Sequence, residues 1–138
     1  MNRPRVLLAD DHPPTAELLR ALLQTEFDVV GLVRDGGTLV SAAARFSPDV
    51  IVADISMPVC DGIEALARLR RANPDARIVL VTVDEDRVLV ERGLAAGALG
   101  YVLKYSAGED LVAAVTAALG GHRYVSQALG GVEGFTGW

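Results

Sequence analysis

The sequence predicts an α/β domain, a parallel sheet of five strands covered by helices on both faces. Three observations predict it. Short apolar runs rich in β-branched residues alternate with segments of helical period along a chain of 138 residues. A repeated strand–helix order builds a parallel sheet. The runs are also continuously apolar rather than alternating, which suits strands buried on both faces.

Val6–Ala9 is the first strand and ends in Asp10-Asp11. From Pro14 to Gln24, Ala16, Leu19, Leu22 and Leu23 recur at helical spacing, and Pro14 suits a first turn, where no N–H is needed. Val29–Val33 is the second strand, and Thr38–Phe46 the second helix, closed by Ser47-Pro48. Val50–Ala53 is the third strand and ends at Asp54. Asp61-Gly62 opens a third helix with apolar residues at Ile63, Leu66, Ala67 and Leu69, and Asn73-Pro74 stops it. Ile78–Val81 is the fourth strand, ending at Thr82. Asp84–Ala96 is the fourth helix, although Val88-Leu89-Val90 also suits an extended chain. Tyr101–Leu103 is the fifth strand, ending at Lys104, and Glu109–Leu119 is the last helix, closed by Gly120-Gly121. From Gly120 to Trp138 there are six glycines and no clear period. The domain is therefore expected over residues 1–121, with a linker or tail over 122–138.

Composition bounds the function. Half the residues are apolar and 22% are charged, enough to bury one core without covalent staples. Cys60 is alone, so no intrachain disulfide is expected and nothing points to an oxidising compartment. The apolar stretch after the N-terminus is too short for a signal-peptide core or a membrane span, and a cytoplasmic setting is expected. A net charge of −5 without a long arginine run argues against direct nucleic-acid binding. Of the 13 basic residues only Lys104 is a lysine, and ammonium and guanidinium groups are not interchangeable.

In an open parallel sheet, ligands bind beyond the carboxyl ends of the strands. Here those ends carry Asp10-Asp11, Asp54, Thr82 and Lys104. Each alone is unremarkable, since an Asp after a strand is commonly a turn residue or cap. Together they are not. Three converging carboxylates would repel until one stayed protonated, and a hard divalent cation removes that conflict. Mg²⁺ favours a few carboxylates plus water and phosphate oxygens. Beside it, Asp54 can serve as an oxygen nucleophile toward phosphorus. Metal, Lys104 and the Thr82 hydroxyl would then each attend one phosphoryl oxygen.

Leu8-Ala9-Asp10-Asp11-His12, Asp54-Ile55-Ser56-Met57-Pro58 with Asp61-Gly62, Val81-Thr82 and Gly100-Tyr101-Val102-Leu103-Lys104 occur in that order. Over roughly Arg5 to Leu119 the chain thereby resembles the receiver domain of bacterial two-component response regulators. The resemblance implies a flavodoxin-like doubly wound fold, five parallel strands in order 2-1-3-4-5 with five helices. It implies a phosphohistidine donor on a partner sensor histidine kinase, with Asp54 as phosphoacceptor. Asp11, Asp54 and the backbone carbonyl of Ser56 would contact Mg²⁺, with Asp10 acting mostly through water. Thr82 and Tyr101 would be the switch pair: Thr82 moves toward the phosphoryl group, the Tyr101 ring follows inward, and the outer surface changes shape. Such a domain catalyses its own phosphotransfer and dephosphorylation but is not a turnover enzyme.

Asp10-Asp11-His12-Pro13, the run Gly97 to Lys104 and Gly121-His122-Arg123-Tyr124-Val125-Ser126 are similar to the NarL/FixJ-type regulators. Those usually carry a C-terminal helix-turn-helix. The preferred reading is the receiver portion of a longer transcription regulator, with DNA contacted only through that further domain. The alternative is a stand-alone or degenerate receiver acting as a protein-binding module. A phosphorylation-dependent homodimer is compatible with either, and no membrane contact is expected.

Val83 follows Thr82 where the family more often has a small residue, and its branched side chain is expected to narrow access to Asp54. Tyr105 follows Lys104 in place of a common proline. His12 is read as a cap or packing residue beside the acidic pair, Cys60 as a bystander, and Arg68, Arg70 and Arg71 as a solvated helix face. Haloacid-dehalogenase-like phosphatases also use a strand-end Asp with Mg²⁺, but they need a second Asp two residues on, where this chain has Ser56. A dinucleotide-binding module needs a glycine-rich turn after the first strand, and none is present.

Overall fold

The computed structural model describes residues 3–57 and 61–135. Pro58, Cys60 and Trp138, which figure in the readings above, lie outside the described residues. The elements run β1 (Arg5–Ala9), α1 (Pro13–Gln24), β2 (Asp28–Val33), α2 (Gly36–Phe46), β3 (Val50–Asp54) and α3 (Gly62–Ala72). They continue as β4 (Ile78–Thr82), α4 (Arg87–Ala95), β5 (Gly100–Leu103), α5 (Ala107–Leu119) and β6 (Tyr124–Val125). The sheet order is β2-β1-β3-β4-β5-β6, and every pairing is parallel. The doubly wound order 2-1-3-4-5 is therefore present, with one strand more than expected at its β5 edge.

Local hydrogen bonds explain where helices depart from their expected ends. α2 starts at Gly36 rather than Thr38 because the Asp35 carboxylate caps it, accepting the Thr38 N–H at 2.8 Å and its hydroxyl at 2.9 Å. α4 starts at Arg87 rather than Asp84 for the opposite reason. The Asp84 carboxylate accepts the Asp86 N–H and the Asp86 carboxylate accepts the Val88 N–H, both at 2.9 Å. These two Asx turns hold the chain out of the helix until they are complete. Val88-Leu89-Val90, ambiguous in sequence, is helical.

Side-chain alternation along each strand divides the core in two. Leu7, Ala9, Ile51, Ala53, Ile78, Leu80 and Tyr101 pack with α2, α3 and α4 on one face. Val6, Leu8, Val50, Val52, Val79, Val81 and Val102 pack with α1 and α5 on the other. Both faces are covered by helices, which is why the strands carry no polar alternation.

The segment after residue 121, expected as linker or tail, is packed against the domain over its described part. Tyr124 pairs with Gly100 and Val125 with Tyr101, while Ser126 and Phe135 are buried. A two-residue strand in a glycine-rich stretch has too little length to show a period. Its pairing is fixed instead by Ser126, whose N–H donates to the Tyr101 carbonyl at 3.0 Å and whose hydroxyl accepts the Leu103 N–H at 3.1 Å.

Candidate functional site

Strand register brings the strand ends level. Ala9 pairs with Ala53, Asp54 with Val81 and Thr82 with Leu103, so Asp10, Asp54, Thr82 and Lys104 lie at one edge of the sheet. Alternation then sorts them. Asp10, Asp54 and Lys104 continue the positions that face α1 and α5, whereas Thr82 and Tyr101 continue those that face α4. The sequence shows the shared edge; the two faces appear only when strand ends are counted against the pleat.

Asp10, Asp11 and Asp54 each offer a carboxylate oxygen, and these oxygens lie within 4.8 Å of one another. Asp10 and Asp54 are buried, while Asp11 is exposed at the mouth. Lys104 reaches in between: its Nζ lies 2.9 Å from Asp10 Oδ2 and 3.0 Å from Asp54 Oδ2. Its side chain is only 8% exposed. The other oxygen of each buried carboxylate accepts a backbone N–H, His12 to Asp10 Oδ1 at 2.9 Å and Ser56 to Asp54 Oδ1 at 3.1 Å. These turns fix both carboxylates without using a second side-chain cation.

The charges pull against one another. Burial pushes the Asp54 carboxyl above its ordinary range, more than Lys104 and the Ser56 N–H bring it down, and Asp10 adds repulsion. Burial likewise opposes the Lys104 charge, but its hydrogen bonds to Asp10 and Asp54 and their attraction leave its pKa raised. Three carboxylates facing one ammonium leave the cluster short of positive charge.

Thr15 is a member of the cluster that sequence reasoning missed. Its Oγ1 lies 3.0 Å from Asp10 Oδ2, 3.3 Å from Lys104 Nζ and 3.1 Å from His12 Nδ1. A threonine in the first turn of a helix ordinarily signals only a cap. Here α1 points that hydroxyl at the strand ends. His12 occupies the N-cap position of α1 without a side-chain cap bond, and its ring turns to Thr15 instead.

Thr82 is buried, and its Oγ1 accepts the Asp84 N–H at 3.1 Å, leaving the hydroxyl proton free to be donated elsewhere. Tyr101 is fully buried on the same face, and its hydroxyl has no hydrogen-bond partner among the described residues. Burial, reinforced by Asp84 and Asp86, pushes that phenol well above its ordinary pKa. Val83, beside Thr82, is 68% exposed, and Tyr105 donates its hydroxyl to Glu85 at 2.7 Å. Arg68 pairs with Glu64 on the exposed face of α3.

Comparison with known proteins places the same architecture elsewhere. The family model of the response regulator receiver domain matches residues 6–116. The uncharacterized transcriptional regulatory protein YxjL of Bacillus subtilis is 40% identical over 119 residues, 85% of this chain and 55% of that protein. This chain thus spans just over half the length of the curated relatives it matches. Among solved structures, a two-component response regulator of the LuxR family from Aurantimonas sp. SI85-9A1 has a TM-score of 0.85 at 33% identity. That match covers 91% of this chain and 90% of the other. The isolated REC domain of RcsB from Salmonella enterica serovar Typhimurium, solved with the phosphomimetic BeF3-, has a TM-score of 0.85 at 28% identity. It covers 94% of this chain and 97% of that one.

Proposed function

Because this chain belongs to the response regulator receiver domain family, we propose that Asp54 is its phosphoacceptor and that a sensor histidine kinase is the donor. The observation that carries this reading is the placement of Lys104 Nζ, 2.9 Å from Asp10 and 3.0 Å from Asp54, inside a cluster of three carboxylates. An ammonium so placed can follow a phosphoryl oxygen as charge develops on it.

The donor set suits Mg²⁺: it is all oxygen, partly exposed at Asp11, and short of positive charge. Asp11, Asp54 and the Ser56 carbonyl would hold the ion directly, with Asp10 beside it. When bound, Mg²⁺ supplies positive charge to the transferring phosphoryl group. The remaining work falls to the chain. Asp54 must be ionised to attack, against a burial that favours its protonated form. Its oxygen forms the new P–O bond as the P–N bond of the phosphohistidine breaks, and the imidazole leaves. Lys104 is positioned for one phosphoryl oxygen, and the free Thr82 hydroxyl proton can be donated to another. Tyr101 already lies buried on the α4 face, and Thr82 turning toward Asp54 would favour that placement. Two residues after Asp54 stands Ser56, not the carboxylate that haloacid-dehalogenase-like phosphatases use as acid and base.

The relatives' names describe transcriptional regulatory proteins about twice as long as this chain's matched part. We therefore read residues 1–121 as the receiver proper. The segment from 122 would lead, once past its docked portion, toward an output domain that contacts DNA. One solved relative consists of RcsB dimers bound to DNA, in keeping with a homodimer here. Among the described residues no helix is long and apolar enough to cross a membrane.

Acetyl phosphate with Mg²⁺, followed by intact mass, tests the reading. One phosphoryl adduct should form, require Mg²⁺ and vanish in Asp54→Asn. No adduct with any donor would leave a degenerate, protein-binding receiver, and sustained phosphate release from monoesters would favour a phosphatase.

A further inference from the structure

We propose that the C-terminal segment Tyr124–Phe135 is the resident occupant of the α4–β5 edge, where it locks Tyr101 inward, so that segment docking and Asp54 phosphorylation favour each other. The proposal rests on the reading above that Tyr101 follows the phosphoryl group.

Without β6, β5 would be an open edge strand. The segment covers that edge through the backbone of the switch residue itself. The Tyr124 N–H donates to the Leu99 carbonyl at 2.9 Å and the Ser126 N–H to the Tyr101 carbonyl at 3.0 Å. The Leu103 N–H donates to Ser126 Oγ at 3.1 Å. Parallel register sets Val125 beside Tyr101, hence on the same face of the sheet. The chain then turns through Gly130-Gly131, both at positive φ, and returns to α4. There Phe135 is buried under the Arg87 guanidinium, 4.3 Å from the ring centre, and Arg87 also donates to the Gly134 carbonyl.

Val125, Phe135 and Leu129 thereby join Tyr101, Val90 and Leu94 in one apolar group. The Tyr101 ring lies on Gly93, where a Cβ would come within 3.1 Å of Cε2. Its hydroxyl, buried and without a partner among the described residues, gains by reaching water, so packing must hold the ring in. The segment supplies that packing on the side where α4 and β5 would otherwise open. A segment that binds only the inward ring, and a phosphoryl group that favours it, must stabilise one another reciprocally.

Fluorotyrosine labelling of the full chain tests the lock. It yields three fluorine signals, and Tyr101→Phe assigns the relevant one. In Arg87→Ala and in Phe135→Ala the Tyr101 signal should move toward its solvent position, and Ser126 amide exchange should accelerate severalfold. Arg87 is largely exposed, so its removal spares the fold. An unchanged Tyr101 signal in both variants would overturn the lock. With acetyl phosphate and Mg²⁺, and the adduct verified by mass on the same sample, Ser126 exchange should slow; unchanged or faster exchange overturns the coupling. If no adduct forms, the reading of Asp54 fails, and the two variants still decide the lock.

Discussion

Lys104 is the residue on which the charge balance of the site turns. Its ammonium sits between two buried carboxylates and is itself nearly buried. Removing one partner from such a group leaves the others uncompensated, at a cost of about 3–5 kcal/mol. Lys104→Ala should therefore lose about that much stability in chelator, and added Mg²⁺ should restore part of it. Denaturant unfolding with and without Mg²⁺ measures both; a variant as stable as the parent in chelator would show the ammonium to be dispensable. The sequence made this position legible by rarity, as the one lysine among 13 basic residues. Thr15 was not legible, because its role depends on the direction in which α1 leaves the sheet, and a helical period carries no such direction.

At the scale of elements, two junctions fix the site. α3 begins close against the strand that bears Asp54: a Cβ at Gly62 would lie 2.5 Å from the Asp54 carbonyl oxygen and 2.9 Å from Ile55 Cα. Both are backbone atoms that cannot step aside, and overpacking of this kind costs roughly 1–3 kcal/mol. Gly62→Ala should lower the unfolding midpoint accordingly and disturb Asp54. The second junction is Asp110 on α5, which accepts hydrogen bonds from Tyr124 at 2.6 Å, Ser126 at 2.8 Å and Ser106 at 2.8 Å. Burial alone would raise its pKa, but those three donors outweigh it and hold the carboxyl below its ordinary value. A carboxylate depressed in the fold contributes stability above its unfolded value, near 4, and loses it as pH falls through the folded one. β6 should thus be anchored at neutral pH and loosen below about pH 4. Asp110→Asn should loosen it at neutral pH, by about 1–3 kcal/mol, and converge with the parent in acid. Amide exchange at Ser126, whose N–H donates to the Tyr101 carbonyl, reads this directly, and exchange equal in parent and variant at neutral pH would contradict it. In sequence Asp110 resembles an ordinary first-turn acid beside the N-cap Ser106, and its other two partners, Tyr124 and Ser126, come from a segment that no local pattern joins to it.

For the whole molecule, the parallel sheet followed from five apolar runs and the helices between them, and its order only from the family resemblance. The runs and helices are long enough to carry a period. What stayed hidden was everything set by pleat and edge. Asp10, Asp54 and Lys104 belong to the α1–α5 face, and Thr82 and Tyr101 to the α4 face, so the charged cluster and the proposed switch pair meet only at the shared strand-end edge. On the proposed reading, a phosphoryl group at Asp54 would be sensed on the far side only through the strand ends. That arrangement makes the chemistry at Asp54 the premise of the rest. Borohydride reduction of the phosphorylated chain, followed by peptide sequencing, tests it most directly, because hydride converts an aspartyl phosphate to homoserine at the modified position. The account predicts homoserine at position 54 alone, formed only after Mg²⁺-dependent phosphorylation. Homoserine at position 10 or 11, or a stable phosphoryl adduct that hydride leaves untouched, would contradict it.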